Sequence, residues 1–309
     1  MFFLALYLDK KIFFSTFADV RVDDNATALK IEIVNDKRLY SLIRKIYFAL
    51  FIAMLLCVGC EFKLKPNDDD NDASHVRIER YDRLESRYLI TGDFSALQQM
   101  NTEFPIETRT LVEKMLQIGE VSDHDINERF LRFYQDSTLQ TIITDAESEY
   151  ANMDDLNKEL SQSLEQLKDW LPDMPIPRVY AQIGALDQSI VVGDKMIGIS
   201  LDKYMGAKYP VYKEFGFSKD QLSSMGRSNI VPDCLSFYLL SLYPMANYDQ
   251  RSQLEKDLHM GKVMWVVNKA LGKNFFRTTY VSIVDRYMHK HPSVTYQQLL
   301  ASDDYSAMK

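Results

Sequence analysis

Only one stretch of this sequence favours β-strand, and it sits in the middle of a chain that otherwise reads as helix. It runs from Pro177 to Pro210, P-R-V-Y-A-Q-I-G-A-L-D-Q-S-I-V-V-G-D-K-M-I-G-I-S-L-D-K-Y-M-G-A-K-Y-P. Val179, Ile183, Ile190, Val191, Val192, Ile197 and Ile199 fall there in short runs broken by Gly and Asp. Gly193-Asp194 separates two of the runs and is a two-residue hairpin signal, because both residue types tolerate positive φ. Ser200 and Asp202 follow as possible helix N-caps. The expected fold is therefore α+β and mainly helical, with a small antiparallel sheet at its centre. On pattern alone the hairpin is simply part of the core.

The first 59 residues are expected to lie outside the folded domain. Ile46 to Gly59 is an apolar run preceded by Arg44 and Lys45, the layout of a secretory signal. It is shorter than the roughly 20 residues that span a bilayer. Leu56-Cys57-Val58-Gly59-Cys60 resembles a bacterial lipobox, in which a cysteine after a small residue is acylated and becomes the new N-terminus. Cys60 follows Gly59 and fits; Cys57 follows Leu56 and fits less well. More than forty residues precede this signal, with apolar patches of their own at 2–8 and 12–17. The economical reading is a start assigned too early, with initiation near 39–43; the alternative is an extension carrying a second hydrophobic anchor.

Residues 1–59 hold 8 basic and 6 acidic side chains of the chain's 36 and 44, so 28 and 38 remain from Cys60 onward, a net charge of −10. That surface disfavours nucleic acid, whose binding rests on neutralising phosphates, and it disfavours docking on anionic headgroups. A lipid would hold such a protein to a membrane. Apart from Cys60 only Cys234 remains, so no internal disulfide can form. Residues 60–76 are acidic and polar and cannot bury enough surface to fold, which makes them a tether. Residues 77–309 then form a single domain.

Helical spacing fills the rest. Pro105 can open a helix carrying Leu111, Val112, Met115 and Leu116 on one side. Ser122 is placed to cap a second, with Ile126, Phe130, Phe133 and Tyr134 on its apolar face. Leu156, Leu160, Leu164, Leu167 and Trp170 repeat at helical spacing up to Pro172. Asn229 to Tyr243 and Gln250 to Leu271 follow, the latter with Gly272 as C-cap. Two short helices at 282–290 and 295–301 close the chain.

Chemistry-bearing motifs are sparse. From Cys60 onward the sequence has no P-loop, G-x-G-x-x-G, G-x-S-x-G or C-x-x-C. None of His75, His124, His259, His289 and His291 belongs to an H-E-x-x-H pair that would bind zinc. His289 and His291 are expected in a loop beside Pro292. Cys234 reads as a small buried hydrophobe. Asp202 and Asp233 read as N-caps, or as a carboxylate pair. No catalytic residue, metal ligand or cofactor is assigned.

The order of motifs resembles the gliding-motility-associated lipoprotein family GldB. The matching features are the lipobox ending at Cys60, I-E-R-Y-D-R-L from Ile78, M-L-Q-I-G from Met115 and L-P-D-M-P-I-P-R-V-Y-A-Q-I from Leu171. To these are added I-G-I-S-L-D-K-Y-M-G-A-K-Y-P from Ile197 and I-V-D-R-Y-M-H-K-H-P from Ile283. The resemblance covers nearly all of 60–309, although the segment between Gly272 and Tyr280 is shorter than in the family's pattern. The family in turn resembles a degenerate zinc-metallopeptidase (zincin-like) architecture. On that comparison I-V-P-D-C-L in 229–242 replaces the metal motif, and L-H-M-G-K in 254–271 replaces the segment that bears a glutamate ligand.

The resemblance implies a non-catalytic envelope lipoprotein, anchored by Cys60 most naturally to the outer membrane. It would be accessory to a motility or secretion machine and bind a protein or peptide partner. Its candidate groove is Met196, Ile197, Ile199, Asp202, Tyr204, Asp233, His259 and Lys262, with Met196–Ser200 as an exposed edge that accepts a peptide by strand addition. The competing readings are a divergent zinc-dependent peptidase-like hydrolase and a periplasmic small-molecule binding protein.

Overall fold

Four short strands form one sheet in the computed structural model, which describes residues 76–308. They are β1 (Ile78–Glu79), β2 (Arg178–Gln182), β3 (Ile190–Gly193) and β4 (Met196–Ser200), ordered β1-β2-β4-β3. The antiparallel expectation holds for β3 and β4 alone. β1 pairs parallel with β2, and β2 pairs parallel with β4, so the sheet is mixed. The hairpin turn also moves by one residue. Gly193 pairs with Met196, leaving Asp194 and Lys195 as the turn, with Lys195 in the left-handed region at φ 55°.

This topology imposes a crossing. β2 and β4 lie side by side and point the same way, while β3 lies on the far side of β4. The chain leaving β2 must step over the end of β4 to reach β3. Gly184 lies against Ser200, the last residue of β4, and Asp202, just beyond it, accepts hydrogen bonds from the Gly184 and Leu186 N–H groups at 2.8 and 2.5 Å. Glu85 accepts from Ile183 N–H at 2.8 Å. Ala185 and Leu186 both take left-handed backbone (φ 51° and 62°). Asp202 is thus no helix cap: the 3₁₀ turn Leu201–Tyr204 that contains it has no side-chain cap from Ser200 either.

Helices cover both faces of the sheet, which is why nearly every residue of β2 and β4 is buried. α1 (Tyr81–Thr91) packs on β2, and Tyr81 meets Tyr180 edge-on with ring centroids 6.1 Å apart. Tyr180 in turn lies over its cross-strand partner Gly198; a Cβ there would come within 2.6 Å of the ring. α2 (Phe94–Glu103) follows α1. α3 (Pro105–Arg109) starts at the expected proline and widens into a π-helical turn over Thr110–Met115. α4 begins at Ile126 and ends at Phe133, not at Ser122, because Arg129 draws Asp123 and Asp125 into a turn (2.9 and 2.5 Å) ahead of the helix. α5 (Ser137–Glu149) and α6 (Asp154–Trp170) complete the first half.

After the sheet come α7 (Pro210–Glu214), α8 (Lys219–Ser224) and α9 (Ile230–Leu242), the last lying against β3 and β4. α10 (Gln253–Ala270) is largely buried from Leu258 onward, wedged among α6, α9, α11 (Thr279–Lys290) and α12 (Tyr296–Ala301). His289 lies within α11 and so on a helix, not in the expected loop. Among the described residues no helix is long and apolar enough to cross a membrane. The signal region, Cys60 and nearly all of the tether lie outside the described residues.

Removing the Asp202 carboxylate strands two buried N–H groups, each costing about 1–3 kcal/mol. Asp202→Ala is expected to lose about 3 kcal/mol or more of unfolding free energy. Asp202→Asn, which offers only one acceptor oxygen, falls between it and the parent chain. Urea unfolding of the three proteins measures this ordering.

Candidate functional site

The crossing over β4 also places the site. The turn that follows β4 carries Lys203 and Tyr204, and three buried tyrosines fix its surroundings. Tyr212 donates to Asp202 O at 2.5 Å and accepts from Met205 N–H at 2.8 Å, while Tyr150 donates to Tyr204 O at 2.6 Å. Tyr134 donates to Ile183 O at 2.6 Å on the crossing segment itself. Each ring fills the core while its hydroxyl satisfies a backbone group that the irregular chain leaves free.

A small cavity of about 110 Å³ opens beside this turn. Ser189, Lys203 and Tyr204 form one side, Asp233 comes from α9, and Phe217, Gln221, Ser224 and Met225 come from the segment around α8. Asp233 is not a cap. It lies in the first turn of α9 and accepts a hydrogen bond from the Tyr204 hydroxyl at 2.9 Å. Burial pushes its carboxyl up to about 6, and the bond from Tyr204 pulls the other way. The Tyr204 phenol is pushed up by burial and by the Asp233 charge. Burial pulls the Lys203 ammonium down, opposed by Asp202 and Asp187. Its Nζ donates to Leu186 O at 3.2 Å and sits 4.4 Å from the centre of the Phe217 ring.

The eight residues expected to form one groove do not come together. Ile197 and Ile199 are core residues, fully buried, and Met196 is half-buried beside the hairpin turn. Asp202 is locked under the crossing, and only Tyr204 and Asp233 meet at the cavity. His259 and Lys262 belong to a different cluster on α10, where His259 Nδ1 is 3.0 Å from the Tyr305 hydroxyl. Lys262 donates to Ser302 O at 2.5 Å and lies 4.6 Å from the Tyr305 ring centre. Burial pulls Lys262 down to about 8. Together they fasten the C-terminal segment.

Met196–Ser200 is not an exposed edge. β4 is paired on both sides, with β2 and with β3, so no extended peptide can add to it. The edge on that side is β3. Its register makes Gly193 and Val191 the hydrogen-bonded partners of Met196 and Gly198, as the Ser200 N–H to Ser189 O bond of 3.0 Å continues. By alternation the N–H and C=O groups of Ile190 and Val192 point outward.

Sequence reasoning missed Glu85, Ser189, Lys203 and the α8 residues. Glu85 did leave a signal: it stands among Tyr81, Tyr88 and Leu89 on the apolar face of α1. An acid at that spacing is buried with a partner or not at all. Burial pushes its carboxyl well up, against the bond from Ile183. Ser189 lies in an irregular segment and α8 is a short helix with no buried residue of its own, so only the tertiary fold fixes their approach.

The family model described as gliding motility protein GldB matches residues 63–275. The chain belongs to the GldB family. The match takes in the sheet, the cavity, α9 and α10, and stops before the motif at Ile283. No curated protein and no solved structure matches the chain. The zincin-like architecture accordingly finds no support. The segment set against its metal motif instead aims Asp233 at Tyr204 and buries Cys234, whose thiol burial pushes up. Among the described residues no three His, Cys, Asp or Glu side chains converge to hold a metal ion.

The unfolded chain releases the Asp233 proton near 3.8 while the folded protein keeps it to about 6. Folding therefore loses stability as pH rises through that window, by about 2 kcal/mol after allowing for the carboxyl's partial contact with solvent. Asp233→Asn keeps an acceptor for Tyr204 without that loss. It should match the parent at pH 4 and exceed it by about 2 kcal/mol at pH 8 in denaturant unfolding.

Proposed function

We propose that this GldB-family chain is a non-catalytic envelope lipoprotein, acylated at Cys60 and held at the outer membrane. It serves as an accessory to a motility or secretion machine, and it binds an extended segment of a protein partner along β3. The observation that carries the reading is the outward row of backbone groups at Ile190 and Val192, beside the Tyr204–Asp233 cavity. Strand addition supplies affinity through main-chain hydrogen bonds, and a neighbouring pocket supplies selectivity through a side chain. The cavity suits a small polar group, met by Asp233, Ser189 and Gln221.

The titratable groups that the sequence nominated support binding over chemistry because each is engaged by a neighbouring group of the fold. Asp202 holds two backbone N–H groups, Asp233 holds Tyr204, Lys262 holds Ser302 and His259 faces Tyr305. Of these only Asp233 lines the cavity, and its carboxyl is engaged by the Tyr204 hydroxyl.

Val192→Pro tests the edge. Proline removes the outward N–H but no ladder bond, which an edge strand tolerates. Crosslinking in the native envelope should recover a partner with the parent chain and lose it with Val192→Pro, while unfolding free energy changes by less than about 1 kcal/mol. Undiminished crosslinking in the variant overturns the β3 assignment. Cys60→Ala should move the protein from the membrane to the soluble fraction and abolish acyl labelling; labelling that persists removes the anchor from the proposal.

A further inference from the structure

A chain with a net charge of −10 from Cys60 onward is not expected to concentrate cations, yet one groove does. It has a volume of about 510 Å³ and lies between α10, α11 and the loop that joins them. Lys269 enters from α10, Arg277 from the loop, and Arg286 and His289 from α11, against the single acid Asp285. Asp285 is already committed. It accepts the Trp265 indole N–H at 2.8 Å and lies 3.5 Å from Lys269 Nζ, and those contacts, the indole first, hold its carboxyl below its ordinary value.

Arg277 and Arg286 are exposed and pair with no acid among the described residues. Arg277 uses only its Nε, donated to Asn274 O at 3.0 Å. Its position is nonetheless built. Asn268 is buried, and both ends of its amide bind Phe276: Nδ2 donates to Phe276 O at 2.8 Å, and Oδ1 accepts Phe276 N–H at 2.9 Å. Lys273 N–H adds a bond to Asn268 O at 3.2 Å. These three bonds tie the loop to α10 and deliver the next residue, Arg277, to the groove. Both arginines lie beyond residue 275, where the GldB match ends.

We propose that this groove binds a phosphorylated ligand, its phosphate group held between the guanidinium groups of Arg277 and Arg286. Guanidinium forks match phosphate oxygens in geometry. Two uncommitted guanidinium charges match a phosphate dianion once Lys269 has offset Asp285. The volume exceeds what the phosphate needs, leaving the side towards Trp265 for the organic part. The ligand is either a soluble phosphate ester or a phospholipid headgroup.

The test uses the full chain carrying Cys60→Ala, which removes the acylation position. The chain has two tryptophans, so indole N–H resonances resolve Trp265 once Trp170→Phe assigns the other. Pyrophosphate and inorganic phosphate should shift the Trp265 indole resonance saturably. Arg277→Gln with Arg286→Gln should weaken pyrophosphate binding by at least about tenfold, the loss expected for charge-assisted bonds. Neither arginine holds an ion pair in the fold, so the double variant should unfold like the parent. Vesicles of phosphatidylglycerol in phosphatidylcholine form the second arm. Sedimentation with them, lost in the double variant, assigns the ligand to the headgroup; pyrophosphate binding without it assigns a soluble ester. No saturable shift and no vesicle binding overturns the proposal, as does binding unchanged by the two substitutions.

Discussion

Two buried carboxylates, Glu85 and Asp202, hold the chain where it steps over the end of β4, and the rest of the site follows from that step. Three backbone N–H groups, of Ile183, Gly184 and Leu186, point away from any ladder there and would otherwise be buried unpaired. A carboxylate is the one side-chain type that presents two acceptor oxygens at once. Its cost is desolvation, visible in the upward push on both acids. The backbone bonds oppose that push, and the tyrosine hydroxyls satisfy the carbonyls of the same segments. Ala185 and Leu186 in left-handed conformation add strain of about 1–3 kcal/mol each, sustained only where the surroundings over-determine the path. Here the surroundings do so.

The cavity is a consequence of the same arrangement. Because Asp202 is fixed beneath the crossing, Lys203 and Tyr204 are delivered at set positions. Leu186, held by Asp202, provides the carbonyl that Lys203 binds. The Tyr204 hydroxyl then reaches α9, where Asp233 receives it. Sheet end, turn and helix are joined by a few polar bonds inside an apolar core, where each bond is stronger than in water and each loss is costlier. A substitution at the crossing is therefore felt at the cavity without touching it.

Much of this was legible in the sequence, and what was not has physical reasons. The β-rich stretch, the helix opened by Pro105, the Leu156–Trp170 stripe and the burial of Cys234 follow from residue type and spacing. β1 did not, because two residues carry no periodicity and Ile78–Glu79 becomes a strand only by pairing with β2. Without β1 and the parallel β2–β4 pair, the hairpin looked like the whole sheet and β4 looked like its edge. Asp202 and Asp233 read as caps because local spacing permits it. Their true partners, 16 to 18 and 29 residues away, are visible only in three dimensions. His259 and Lys262 were placed with them because helical position alone does not say which neighbour a largely buried helix turns towards.

The last third of the chain shows why the extent of the GldB match and the extent of the folded unit differ. The match stops at 275, inside the loop that Asn268 pins, yet α10 within the matched span is largely buried from Leu258 onward. Part of that cover is supplied by α11 and α12. A Cβ on Gly261 would come within 2.8 Å of Tyr280, and Trp265 stacks on Tyr296, which stacks in turn on Trp170 with ring centres 4.3 Å apart. His259 and Lys262 spend their polar atoms on Tyr305 and Ser302. A helix that needs the C-terminal segment for its apolar faces, its glycine contact and the polar atoms of His259 and Lys262 cannot be stable without it. Residues 276–308 are thus an integral wall of the domain.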